Sequence, residues 1–303
     1  MQSLKTTLFA ILALLVLSAS AACAASTPVP TATPAPTLQP IDAQRDLSVD
    51  GLERTYLIHV PPAITGADAV PMLFVFHGFQ EDSTYARSYT GFNDIADANG
   101  FIVAYAEGSG ASSGLSWNGG TCCGYALVND VDETAFVNAI LADVETLAVI
   151  DRNRVFAAGF SNGALLSYRL ACEMSETFAA VAPVGGVLVY EPCEPSEPVS
   201  VMHVHGMTDG AVPFEGGGLN PGTGEPFPPV QESIAAWVKL DACLETAQTE
   251  QDEIMTHSMY GGCASGSAVE LYALEGTGHT WPSRYVVPIS ETIWEFFSAH
   301  PKQ

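Results

Sequence analysis

The feature that most constrains this chain is the stretch 153–170, N-R-V-F-A-A-G-F-S-N-G-A-L-L-S-Y-R-L. Residues 155–158 are a short apolar run of the kind buried in a parallel sheet. Gly159-Phe160-Ser161-Asn162-Gly163 follows, and Ala164, Leu165, Leu166 and Tyr168 then recur at helical spacing. Strand, G-x-S-x-G, helix is the context of a nucleophile elbow. The serine rides on a strained turn, and side chains two positions to either side would collide there, so glycine is wanted at both. The helix that follows aims its N-terminal dipole, and the Asn162 N–H, at an oxygen next to the serine. A chain organised around such a unit must also supply a sheet to carry it, a base and an acid.

The sheet is readable. Residues 46–48 and 54–60 flank an Asp50-Gly51 turn and predict a hairpin. Apolar strands are expected at 71–76, 101–105, 155–158, 178–184, 199–204 and 269–274. Helical spacing runs through Tyr89, Phe92, Ile95 and Ala96, predicting one helix over 85–99 closed by Gly100. A second helix is expected from a cap at Asn129 or Asp130 through Leu147, with Phe136, Ile140 and Val144 on one face. A last one covers 290–298. Alternating strands and helices, with strands apolar throughout, predict a mainly parallel central sheet with helices on both faces, in one α/β domain over 43–303. Residues 107–124 form a glycine- and serine-rich loop too long for a mere connection, which Trp117, Cys122 and Cys123 mark as ordered.

The start of the chain is of another kind. Lys5, the apolar core 8–18 and the small residues 20–23 read as an export signal over 1–22. Cys23 is either an ordinary residue or the lipid-modified first residue of a bacterial lipoprotein. Ser20 stands where such signals usually carry leucine, which speaks against the lipid. The cysteine count speaks for it: setting Cys23 aside from the seven leaves an even six, as disulfides in an exported protein require. Residues 23–42, rich in Pro, Thr and Ala, read as an extended linker. The expected location is outside the cell or on its surface.

The net charge of −24, with only three lysines, excludes nucleic acid and anionic membrane surfaces as partners. Any membrane contact would run through a lipid at Cys23. So acidic a surface should repel polyanions and favour a neutral substrate. No C-x-x-C spacing occurs, so structural zinc is not expected, and no cofactor or metal is implied.

A serine nucleophile needs a base, and the base an acid to orient it. In the α/β-hydrolase order both follow the serine, acid first. The strand 199–204 runs on into His205-Gly206-Met207-Thr208-Asp209, which makes Asp209 the candidate acid; Glu215 and Glu232 lie farther from any strand end. The base is His257, His279 or His300. His300 is in the tail and His257 precedes the last strand, whereas His279 occupies the loop between final strand and final helix, where the base belongs. A second oxyanion donor besides the Asn162 N–H is expected at the turn His77-Gly78-Phe79-Gln80, from the N–H of Phe79 or of Gln80. His203-x-His205 could pair on a metal, but no carboxylate or cysteine accompanies it at ligand spacing.

With these residues in place the chain resembles a known group. The runs H-G-F-Q, S-W-N-G-G-T-C-C-G, N-D-V-D-E-T-A-F, R-V-F-A-A-G-F-S-N-G-A, A-A-V-A-P-V-G-G, H-V-H-G-M-T-D and G-T-G-H-T-W-P are similar to the exported α/β-hydrolase esterases that include feruloyl esterases, acetylxylan esterases and poly(3-hydroxybutyrate) depolymerases. The likeness spans residues 51–297. It implies a Ser161–Asp209–His279 triad with oxyanion N–H groups from Phe79 and Asn162. It also implies disulfides Cys172–Cys193 and Cys243–Cys263, which leaves Cys122–Cys123 as a vicinal pair. By motif position, Trp117 and Trp281 are expected to wall the acyl pocket. One departure is Glu133, where the group commonly carries V-D-D; it should alter a structural hydrogen bond and not the triad. The expected activity is hydrolysis of neutral esters, feruloyl or acetyl groups on plant polysaccharide, the alternative being polyester oligomers. A non-catalytic polysaccharide-binding protein on a hydrolase scaffold is the competing class.

Overall fold

The computed structural model describes residues 40–64, 68–111 and 114–303. The predicted signal over 1–22, Cys23 and the linker up to residue 39 lie outside the described residues. The linker reading needs one correction at its far end. β1 (Ile41–Val49) pairs with β2 (Leu52–Val60) from Ile41 onward, because Ile41, Leu47 and Val49 already pack on the core. Their connection, Asp50-Gly51, has positive φ at both residues, 51° and 81°, as a two-residue hairpin turn demands.

The remaining strands are β3 (Val70–Phe76), β4 (Ile102–Ala106), β5 (Ile150–Phe160), β6 (Ala180–Val184), β7 (Ser200–Gly206), β8 (Gln248–Gln251), β9 (Met255–Tyr260) and β10 (Val269–Leu274). One 10-stranded sheet results, in the order β1-β2-β4-β3-β5-β6-β7-β10-β9-β8. From β4 to β10 neighbouring strands run parallel; the pairs at both edges are antiparallel. The helices are α1 (Ser83–Thr90), α2 (Phe92–Asn99), α3 (Gly124–Val128), α4 (Glu133–Glu145), α5 (Asn162–Glu173), α6 (Val230–Leu240) and α7 (Ile289–Ala299).

Strand alternation sorts the core into two layers. Met72, Phe74 and Phe76 of β3 face α4, α5 and α6, where Phe136, Ile140, Leu165, Tyr168 and Trp237 are buried. Leu73 and Val75 face α1, α2 and α7, with Phe92, Ile95, Trp294 and Phe297. A parallel sheet covered on both sides is therefore present, as the apolar strands predict.

The helix expected over 85–99 is two helices. Gly91, at φ 64°, breaks it, ending α1 in a left-handed turn whose N–H bonds Arg87 O. The cap expected at Asn129 or Asp130 is instead Asp132, whose carboxylate accepts the Ala135 N–H at 2.9 Å; Asn129 closes the short α3.

Candidate active site

Three parallel strands deliver the site. β5 ends on Phe160, and Ser161 follows at φ 54°, ψ −115°, a conformation L-residues rarely hold. The turn is this tight because the flanking residues lack Cβ atoms. A Cβ on Gly159 would collide with Gly163 O, and one on Gly163 with Phe76 O. β7 runs out through Gly206 to Asp209, and β10 leads to His279. These far-apart residues meet: His279 Nε2 lies 2.9 Å from Ser161 Oγ, and His279 Nδ1 lies 2.7 Å from Asp209 Oδ2. The acceptor-only carboxylate fixes the tautomer, so Nδ1 carries the hydrogen and Nε2 is free to take the serine proton.

Asp209 is buried, which by itself pushes its pKa up. The neighbouring His205 imidazole and hydrogen bonds from His279 and the Val212 N–H outweigh burial and hold the carboxyl well below the ordinary aspartate value. Its other oxygen accepts the Ala211 and Val212 N–H groups, each at 2.8 Å. Of the other acids weighed, Glu215 and Glu232 are exposed. Of the other histidines, His257 pairs with Glu270 on the β9 edge, 2.8 Å apart, and His300 bonds Phe296 O at the end of α7.

The turn after β3 stands beside the elbow. His77 is fully buried and neutral, since burial lowers its pKa. Its Nε2 accepts the Gly108 N–H, so its Nδ1–H donates to Gly78 O. The Gln80 N–H is engaged by Leu115 O at 2.9 Å. Among the described residues neither the Phe79 N–H nor the Asn162 N–H is taken by a protein acceptor. Of the two donors weighed at this turn, the geometry leaves Phe79 available.

Sequence reading missed what steadies this side. Glu81 accepts the Gly78 N–H at 2.8 Å and the Tyr89 hydroxyl at 3.3 Å, and burial pushes its pKa up. The Asn162 side chain clamps the 117–122 loop: its carbonyl accepts the Trp117 N–H, and its amide donates to Trp117 O and Cys122 O. Glu133, singled out as a departure, is fully buried, bonds Arg54 Nη2 at 3.1 Å and accepts the Asn118 N–H at 3.1 Å.

The reading of Trp117 needs correction. Trp117 is fully buried, and its indole N–H donates to His77 O at 2.9 Å, so it braces the turn from the core instead of walling a pocket. Trp281 is also buried, with its N–H on Ser290 Oγ, but an aromatic file connects it to the site: Trp281 to Tyr89 (5.7 Å), Tyr89 to Phe160 (6.0 Å), Phe160 to His279 (4.9 Å). The disulfides Cys172–Cys193, Cys243–Cys263 and Cys122–Cys123 are all formed. A groove of about 1170 Å³ runs between residues 188–194 and 220–228, and no triad residue lines it.

Comparison with known proteins follows the same lines. The family model described as Esterase PHB depolymerase matches residues 54–214. Feruloyl esterase B of Piromyces equi is 28% identical over 234 residues, covering 75% of this chain and 42% of its own length. Putative esterase NocK of Nocardia uniformis subsp. tsuyamanensis is 31% identical over 260 residues, with coverages of 78% and 73%. The bifunctional acetylxylan esterase/xylanase XynS20E of Neocallimastix patriciarum is 26% identical over 247 residues, 80% of this chain and 33% of that protein. The chain thus spans less than half of the first and third of these relatives. Among solved structures, an acetyl xylan esterase from Aspergillus awamori superposes with a TM-score of 0.63 at 15% identity, over 85% of this chain and 99% of that one, a likeness of fold.

Proposed function

This chain belongs to the Esterase PHB depolymerase family, and from that premise we propose that it is an exported serine esterase. Ser161 is its nucleophile, His279 its base and Asp209 the acid that orients the base. The observation that carries the reading is the unbroken Ser161–His279–Asp209 hydrogen-bond line at 2.9 and 2.7 Å.

His279 Nε2 takes the Ser161 proton as Oγ attacks the ester carbonyl carbon. The carbonyl oxygen becomes an oxyanion, received by the Phe79 and Asn162 N–H groups. His279 then protonates the departing alkoxide, leaving an acyl-enzyme. Water, deprotonated by the same imidazole, attacks the acyl carbon, and the freed acid leaves with Ser161 restored. Asp209 stays ionised throughout and stabilises the imidazolium.

The substrate class we propose is a neutral ester on plant polysaccharide, feruloyl or acetyl. The relatives' names and the chain's net charge of −24 support it, and the file Phe160–Tyr89–Trp281 suits a flat aromatic acyl group. The family model's name favours a second reading, polyester oligomers. We place the enzyme outside a bacterial cell, held by a lipid at Cys23, because residues 1–22 read as an export signal that ends at a cysteine.

The test is a panel of methyl ferulate, acetylated xylan and a hydroxybutyrate oligomer. Methyl ferulate and acetylated xylan should be hydrolysed, and all turnover should vanish in Ser161→Ala with the fold retained. Unchanged turnover in that variant would sink the assignment, and fluorophosphonate failing to label Ser161 would favour a silent binding protein.

A further inference from the structure

Behind the triad lies a polar file that the reaction as written does not use. Tyr168 on α5, His203 and His205 on β7 are all fully or almost fully buried. The Tyr168 hydroxyl is 2.7 Å from His203 Nδ1, His203 Nε2 is 3.0 Å from His205 Nδ1, and the two imidazole planes differ by 1°. His205 Nε2 lies 2.8 Å from Val212 O and 3.4 Å from Asp209 Oδ2.

The file has one neutral proton order, and its far end dictates it. Val212 O and the Asp209 carboxylate can only accept, so His205 Nε2 carries hydrogen and His205 Nδ1 must accept. His203 therefore donates from Nε2, its Nδ1 is bare, and the Tyr168 hydroxyl donates to it. Every N–H and O–H points the same way, toward Asp209. We infer that Tyr168, His203 and His205 form a buried, one-directional hydrogen-bond chain, and that His205 is a positioning residue which grips the Asp209–Val212 loop and so holds the acid of the triad in place.

The chemistry of the surroundings agrees. Burial, then the neighbouring His205, hold His203 well below the ordinary histidine value, so it does not carry a charge. The titratable groups facing the chain are Tyr168 from α5, Asp209 from the loop after β7 and, through Asp209, His279 from the loop after β10. Trp237 of α6 packs on Tyr168, and Phe214 packs edge-on against His205. An added proton on His205 Nδ1 would face the His203 Nε2–H. Relieving that clash would turn His203 to its other tautomer and strand the buried Tyr168 hydrogen without an acceptor.

Two consequences follow for the triad. His205 holds Val212 O, which keeps the Val212 and Ala211 N–H groups aimed at Asp209 Oδ1. Its Nε2–H also lies 3.4 Å from Asp209 Oδ2, the oxygen that accepts the His279 Nδ1–H, so it bears on the bond that orients the base. The inference rests on the triad reading for its catalytic part, and on geometry alone for its proton order.

The experiment therefore has two arms. Nitrogen-15 spectra of histidine-labelled full-length protein, assigned with His203→Gln and His205→Gln, should show both residues as neutral Nε2–H tautomers at pH 8. An Nδ1–H tautomer at either overturns the proposal without any substrate being present. In the second arm, pH profiles of kcat/KM on p-nitrophenyl acetate are compared for His205→Leu, His205→Gln and Tyr168→Phe, with near-UV circular dichroism as the check on folding. His205→Leu, which removes the N–H that holds Val212 O and lies beside Asp209, should lose roughly tenfold and move its acid limb up by about half a pH unit. His205→Gln keeps an N–H at the same reach and should stay within about threefold of wild type, with the limb in place. Tyr168→Phe should fall between. Equal losses in the Leu and Gln variants with an unmoved limb would reduce His205 to packing and overturn the proposal. Both tautomers present in a chain that cleaves no ester would overturn the catalytic reading and leave the proton order standing.

Discussion

Two carboxylates of the site, Asp209 in the loop after β7 and Glu81 in the turn after β3, have opposite fates. Asp209 is the more deeply buried, yet it is held ionised; Glu81 is only half-buried, yet its pKa is pushed up. Donors make the difference. Asp209 receives the Ala211 and Val212 N–H groups and the His279 Nδ1–H, all within 2.8 Å, with His205 Nε2 behind them at 3.4 Å. Glu81 receives one backbone N–H at 2.8 Å and a long bond from Tyr89 at 3.3 Å. Depth alone does not set the charge of a carboxylate; the number of hydrogens aimed at it does. The same rule extends to Glu133, which is fully buried beside Arg54 and also pushed up by burial. The acid side of the site is thus fixed by charge, and the oxyanion side mainly by neutral hydrogen bonds.

The sharpest way to break this contrast is Asp209→Asn. It keeps the shape and presents the wrong hydrogen-bonding group to His279 Nδ1, so kcat should drop by roughly 10³- to 10⁴-fold. A loss under tenfold on p-nitrophenyl acetate would mean that charge does not fix the acid side. Trp117→Phe probes the other side. It removes the indole bond to His77 O and should cost about 1–2 kcal/mol of stability and around tenfold in kcat. Because that bond is neutral, the ratio to wild type should stay flat from pH 6 to 9, and a sloping ratio would contradict the assignment.

The smallest effect in turnover is the most diagnostic in sign. Glu81→Gln should stay within about threefold of wild type in kcat at pH 8. The folded pKa of Glu81 lies above the ordinary 4.5, so the stability it lends is full below that value and lost as pH rises through the folded value. A neutral amide at this position escapes that loss, and the Tm difference in favour of the variant should grow from pH 4 to pH 8. For Asp209, held below the ordinary 3.8, the stability is present above that value and lost as pH falls, so the penalty of Asp209→Asn should grow with pH. Melting curves with slopes of the same sign would dissolve the comparison.

How much of this was legible in the letters differs by kind of feature. Ser161, Asp209 and His279 could be proposed from the letters because each follows an apolar strand, in a fixed order along the chain, and the structure brings the three side chains together. Local turn chemistry likewise announced the Asp50-Gly51 hairpin. Glu81, His205 and the Asn162 side chain were missed as structural supports because their partners lie in other segments, and no local pattern marks a polar residue for burial. The break at Gly91 was hidden because the apolar spacing of Tyr89, Phe92 and Ile95 continues across it, while only tertiary packing decides that the chain turns there. β8 escaped because all of its side chains are exposed and carry no alternation. The spacing of Val230, Ile234, Trp237 and Val238 could have disclosed α6. Trp117 was misread because a motif position gives nearness to a site and not the direction in which a ring points.

The backbone of Ser161 sits where only glycine rests comfortably, at φ 54° and ψ −115°. The residue we propose as nucleophile is therefore one the fold itself would gladly exchange. Ser161→Gly should give a dead protein that melts higher, by on the order of 1 kcal/mol at the transition. A descendant released from selection for hydrolysis has a downhill route at this codon, and heat tolerance gained there would record the trade.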